Sequence, residues 1–155
     1  MATHCLHVGI NNYAGTDNDL AGCVNDTRDW ARVFGQRRRG VVRDAIDECP
    51  FFGNADSQVV LLDRQATRTR WLKELIALVA NLERGDLGVF TYSGHGSYVR
   101  DTNGDEDDRH DEALVCYGLD YILDDELAAI FQKQPAGSQM HMTTDACHSA
   151  TDTRG

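Results

Sequence analysis

Along this chain, short unbroken apolar runs alternate with stretches whose apolar residues recur three or four positions apart. Cys5–Ile10 is a compact apolar run that Asn11–Gly15 stops as a loop would. Leu20, Cys23, Val24, Thr27, Trp30, Ala31 and Phe34 then fall at helical spacing, predicting a helix over 19–36. The stretch from Arg37 to Ser57 is basic, then contains Gly and Pro, shows no period and reads as a loop. Gln58–Asp63 is a buried-type strand. Thr67 is placed to cap a helix running to Arg84, whose stripe comprises Trp71, Leu72, Leu75, Ile76, Leu78, Val79 and Leu82, with Gly85 just past its end. Leu87–Ser93 is a third strand leading into a turn at Ser93–Gly96, and Ala113–Tyr117 is a short fourth. Asp124–Gln132 begins a helix with acids on its first turn, broken by Pro135 and Gly137. Gln139–Asp145 is the last strand, with a turn at Asp145–Ser149.

Strands alternating with amphipathic helices imply an α/β fold. Right-handed crossovers would give a mainly parallel sheet with helices on both faces. With 155 residues there is room for a single domain, taken as 1–155. In such folds ligands gather outside the carboxyl ends of the strands. This draws attention to the segments after the third and last strands.

Composition narrows the class. Apolar residues at 41% and charged residues at 26% describe an ordinary globular protein. No apolar run is long enough for a membrane helix, and Met1–Cys5 does not open a secretory signal. Five cysteines without paired spacing read as reduced thiols, so the expected location is cytoplasmic. The net charge of −10 is concentrated: residues 101–125 hold ten acids against the single base Arg109. Such a chain is a poor partner for nucleic acid or anionic membranes. The acidic segment leaves open a bound cation, a basic ligand or a solvated loop.

The candidate chemistry lies at the two marked segments. Cys147 stands just past one strand and His95 past another, and a positioned imidazole can draw the thiolate from a thiol that is mostly protonated at neutral pH. Small residues beside Cys147 (Ala146, Ser149, Ala150) leave room for backbone N–H groups, those of Gly96 and Cys147, to meet an oxyanion. Cys5, Cys23, Cys49 and Cys116 read as small buried apolar residues. Zinc is not expected, because the remaining histidines are scattered and there is no CxxC.

Tyr92-Ser-Gly-His-Gly96 and Asp145-Ala-Cys-His-Ser149 resemble the histidine and cysteine signatures of metacaspases, the caspase-like cysteine peptidases of non-animal organisms. Val8-Gly-Ile-Asn-Asn-Tyr13 and Gly22-Cys-Val-Asn-Asp26 are similar to the start of the same region. His95 and Cys147 are 52 residues apart, close to the roughly 50 of caspases. The resemblance implies a caspase-like three-layer sandwich and a Cys147/His95 endopeptidase. It also implies a substrate pocket built from Asp26 and Asp145 with Ser93 and Cys23. Carboxylates there would favour Arg or Lys before the scissile bond.

Calcium follows from the resemblance as well, with Asp111, Asp124 and Asp125 as ligands and Asp152 as the nearest match to a further one. Asp101, Asn103, Asp105, Asp107 and Glu112 form a rival EF-hand-like set, but Glu106 stands where that loop needs glycine. The sequence given ends eight residues after Cys147, whereas metacaspases continue into a small-subunit region with two more strands. The expectation is thus a sheet lacking those strands and open at one edge. A second reading follows, in which the chain is a non-catalytic module whose open edge binds a small-subunit region or a second chain.

Overall fold

A computed structural model describes residues 1–35, 55–100 and 110–148, with 100, 110, 147 and 148 described by backbone alone. The long basic loop expected after Arg37 lies mostly outside the described residues, as do the core of the acidic segment, the EF-hand-like set save Glu112, and Asp152. The chain forms an α/β fold around a six-stranded mixed sheet, mostly parallel, with the order β2-β1-β3-β4-β5 and β6 paired to β3. The strands are β1 (Thr3–Gly9), β2 (Ser57–Leu62), β3 (Leu87–Arg100), β4 (His110–Val115), β5 (Tyr121–Leu123) and β6 (Gln139–His148). The helices are α1 (Cys23–Val33), α2 (Arg68–Ala80) and α3 (Asp124–Phe131).

The alternation of side chains along β1 assigns the layers. Leu6 and Val8 join a core with Trp71, Leu75, Phe90, Tyr92, Leu127 and Ile130, so α2 and α3 cover that face. Cys5 packs with Phe34, Val89 and Trp30, and His7 stacks on Phe34, so α1 covers the other. This three-layer arrangement is the one the sequence predicts.

α2 is capped as expected: the Thr67 hydroxyl accepts from the Arg70 N–H at 3.4 Å. It ends at Ala80 and not at Arg84, and Gly85, at φ 91°, turns the chain into β3. Ile76, expected in the apolar stripe, is 53% exposed, because Trp71, Leu75, Leu78 and Val79 already fill the face toward the sheet. β5 had no sequence signal. A tight turn with Leu119 at φ 66° folds it back onto β4.

The two predicted turns are corrected. β3 runs straight through Gly94, His95 and Gly96 to Arg100, and β6 continues through Cys147 to His148. The reason is continued pairing. β1 and β6 flank β3 over its first half, and β4 takes up antiparallel pairing at Gly96↔Leu114. Since Gly96 also pairs with His148, β4 lies on the edge of β3 that β1 has left.

Candidate active site

The parallel register of β3 and β6 sets the site: His95 pairs with Cys147, and Ser93 with Asp145. Both pairs lie at the carboxyl end of the β1-β3-β6 portion of the sheet. α1 begins beside them, because its first turn sits over the end of β1. A Cβ on Gly9 would fall 2.2 Å from Thr27 Oγ1 and 2.7 Å from the Cys23 carbonyl oxygen, so only glycine admits the helix this close. Cys23 and Asp26 are thereby carried to Ser93, whose hydroxyl lies 3.5 Å from Asp26 Oδ2.

Cys23, Asp26, Ser93 and Asp145 thus form one cluster. Burial pushes the Cys23 thiol up, Ser93 pulls it partly back, and the charges of Asp26 and Asp145 push it further up. Cys23 therefore stays a neutral thiol at neutral pH, and the charge of the cluster comes from the two carboxylates. Both are exposed, and among the described residues neither has an ion-pair partner. The cluster thus gathers two carboxylates, a short hydroxyl and a thiol at one end of the sheet.

A loop over 10–20 covers the histidine. Its hydrogen bonds tie it down on three sides. Asp63, at φ 44° just after β2, accepts from the N–H groups of Asn11 and Asn12 at 2.8 and 3.0 Å. The Asn11 side chain accepts from Val24 N–H in the first turn of α1, at 3.1 Å. Ala14 N–H donates to Tyr117 O in the β4–β5 turn at 3.1 Å. So anchored, the loop sets Asn18 O 2.7 Å from His95 Nε2. A carbonyl only accepts, so Nε2 carries a proton and donates to it. The Tyr13 ring packs against the imidazole with centroids 4.8 Å apart.

The acidic residues are placed less compactly. Asp111 is buried in β4, while Asp124 and Asp125 open α3 and are exposed. The Ala113↔Leu123 pair brings all three toward the same end of the β4–β5 hairpin. Among the described residues, however, no three His, Cys, Asp or Glu side chains gather closely enough to hold a metal ion. The described donors do not by themselves make a calcium cage.

The predicted catalytic pair and the four pocket residues fall at one end of the sheet. Gly96 is in β3 beside the His95–Cys147 pair. Tyr13, Asn18 and Tyr92 were not singled out by sequence reasoning. Tyr13 and Tyr92 stand inside the quoted motifs, but nothing in one sequence signals that they meet. Asn18 acts through its backbone and leaves no side-chain signal.

The metacaspase, peptidase C14 domain family matches residues 3–153. The chain is 34% identical to Metacaspase-1 of Meyerozyma guilliermondii over 94% of this chain and 35% of the relative. It is 38% identical to Metacaspase-5 of Trypanosoma cruzi over 94% of this chain and 32% of the relative. With Metacaspase-7 of Arabidopsis thaliana the figures are 33%, 96% and 35%. The chain thus spans about a third of the length of these relatives. A Geobacter sulfurreducens protein of known crystal structure superposes with a TM-score of 0.74 at 28% identity, covering 97% of this chain and 52% of that one.

Proposed function

This chain belongs to the metacaspase family of C14 peptidases, and we propose that it is the catalytic region of a cysteine endopeptidase cleaving after Arg or Lys. The observation that carries the reading is the β3–β6 register, with His95 opposite Cys147 and Ser93 opposite Asp145.

In this mechanism His95 Nδ1 takes the proton of the Cys147 thiol, and the thiolate attacks the scissile carbonyl carbon. The carbonyl oxygen becomes an oxyanion, met by the backbone N–H groups of Gly96 and Cys147. The imidazolium, its Nε2–H held on Asn18 O, then protonates the leaving amine as the tetrahedral adduct collapses to a thioester. Water, deprotonated by the same imidazole, hydrolyses the thioester and restores the thiol.

Specificity rests on charge. The carboxylates of Asp26 and Asp145 complement a guanidinium or ammonium, whereas a substrate aspartate would add a third negative group. A reduced, cytoplasm-like compartment suits a thiol nucleophile. On the resemblance, calcium would be held by Asp111, Asp124 and Asp125.

The test is hydrolysis of matched fluorogenic peptides ending in Arg, Lys or Asp by wild type, Cys147→Ala and His95→Ala. Release after Arg or Lys that both substitutions abolish is expected. Cleavage after Asp, or cleavage that survives loss of Cys147, would sink the proposal.

A further inference from the structure

We propose that the hydroxyls of Tyr13 and Tyr92 form a clamp on the backbone of His95 and act as positioning residues for the chemistry described above, on which this proposal rests. The sheet itself creates the need. β1 accompanies β3 only as far as Gly9↔Ser93, with one further bond from Ile10 N–H to Ser93 O, and β4 joins the same edge at Gly96. His95 falls in the seam between the two strands. Its N–H and C=O would face that seam without a strand to receive them, a costly arrangement for buried backbone.

Two phenols fill the place of the missing strand. His95 N–H donates to the Tyr13 oxygen at 2.7 Å, and the Tyr92 hydroxyl donates to His95 O at 2.8 Å. The hydroxyl oxygens are 3.4 Å apart, and Tyr92 also lies 3.0 Å from Val115 O, the last carbonyl of β4. The proton count fixes the direction of the chain. Both carbonyls only accept, so the Tyr92 proton serves them, and the Tyr13 proton is directed to the Tyr92 oxygen. Burial raises the pKa of both phenols, so each keeps its proton at neutral pH.

Each tyrosine is held from behind. Tyr92 is 2% exposed and stacks on Trp71 with centroids 4.9 Å apart. Tyr13 is 3% exposed, its N–H bonded to Asp19 Oδ1 at 3.0 Å. Gly94 completes the device. A Cβ there would sit 2.4 Å from the Tyr92 oxygen and 2.7 Å from the Tyr13 oxygen, so only glycine leaves room for the pair. The histidine is therefore gripped at its backbone by two hydroxyls, at its ring face by Tyr13, and at Nε2 by Asn18 O.

Tyr13→Phe and Tyr92→Phe remove the hydroxyls and keep the rings. Two readouts are taken near neutral pH on the whole chain. One is the rate of Cys147 alkylation by iodoacetamide, followed by peptide mass mapping. The other is the imidazole ¹⁵N spectrum of His95. Wild type should show the Nε2-protonated tautomer and an alkylation rate that collapses in His95→Ala. Each Phe variant should lose between about tenfold and 100-fold in alkylation rate and show a mixed or shifted His95 tautomer. Rates within twofold of wild type, with an unchanged His95 spectrum in both variants, would overturn the clamp. A lowered unfolding midpoint with both readouts unchanged would also overturn it, leaving the phenols as mere plugs. Should His95→Ala leave Cys147 alkylation untouched, the Cys147–His95 pairing itself fails. The tautomer spectrum then still decides whether the tyrosines position the ring.

Discussion

His7 should make this protein acid-sensitive in a defined window. It sits in the middle of β1, fully buried, with Nδ1 2.8 Å from the Thr91 hydroxyl and, among the described residues, no partner for Nε2. Burial lowers its pKa from 6.5 to about 4, because the imidazolium would sit against Phe34 away from water. The unfolded chain takes up the proton near pH 6.5 and the folded chain only near pH 4. The stabilisation is therefore complete above pH 6.5 and is lost as pH falls through the window to about 4. At about 1.4 kcal/mol per unit, the full shift corresponds to roughly 3 kcal/mol, of which about 2 kcal/mol is gone by pH 5. The assay is urea unfolding at a series of pH values for wild type and His7→Leu. Other titrating groups cancel in the difference, leaving a curve that falls by about 2 kcal/mol between pH 7 and 5. A difference that stays flat across the window, or rises toward acid, would refute the reasoning.

Other perturbations reach the site directly. Asp26→Asn or Asp145→Asn should lower kcat/KM on Arg peptides by roughly tenfold to 100-fold, as expected for losing a charged partner. An unchanged ratio of Arg to uncharged substrates would remove the carboxylates from the pocket. Gly9→Ala should cost about 1–3 kcal/mol in chemical denaturation by pushing α1 off β1. It should weaken Arg-peptide binding as well, since Cys23 and Asp26 move with the helix, and a wild-type unfolding curve would contradict the close approach. Calcium titrated into Cys147→Ala by calorimetry should bind, and Asp124→Asn with Asp125→Asn should abolish the heat. Equal binding by both proteins would place the ion elsewhere.

Much of this architecture was legible in the sequence because burial leaves periodic traces. Trp71, Leu75, Leu78 and Val79 announce α2, and the run Leu87–Ser93 announces a core strand. What the pattern misjudged was where strands stop. Gly94 and Gly96 look like turn residues, yet they lie in extended backbone because β4 and β6 keep pairing there and the tyrosine hydroxyls exclude a side chain at Gly94. β5 was invisible for a related reason: three residues carry no period, and the strand exists through its partner. The proposed catalytic pair and pocket residues were read from motifs, and the register brings them to one end of the sheet. The clamp was not, since Tyr13 and Tyr92 are 79 positions apart and meet only through tertiary packing.

Asp63 carries a consequence for how the site comes apart. It holds Asn11 and Asn12 from the end of β2, and Asn11 in turn holds the start of α1. The covering loop is therefore expected to open together with the head of α1. Its amides at Asn11, Asn12 and Tyr13 should share a hydrogen-exchange rate with Val24 at the head of α1, as one cooperative unit. Asp63→Ala should release all of them together and loosen the hold of Tyr13 and Asn18 on His95. The ordering of the proposed site would then be set by a carboxylate outside the proposed catalytic pair and pocket.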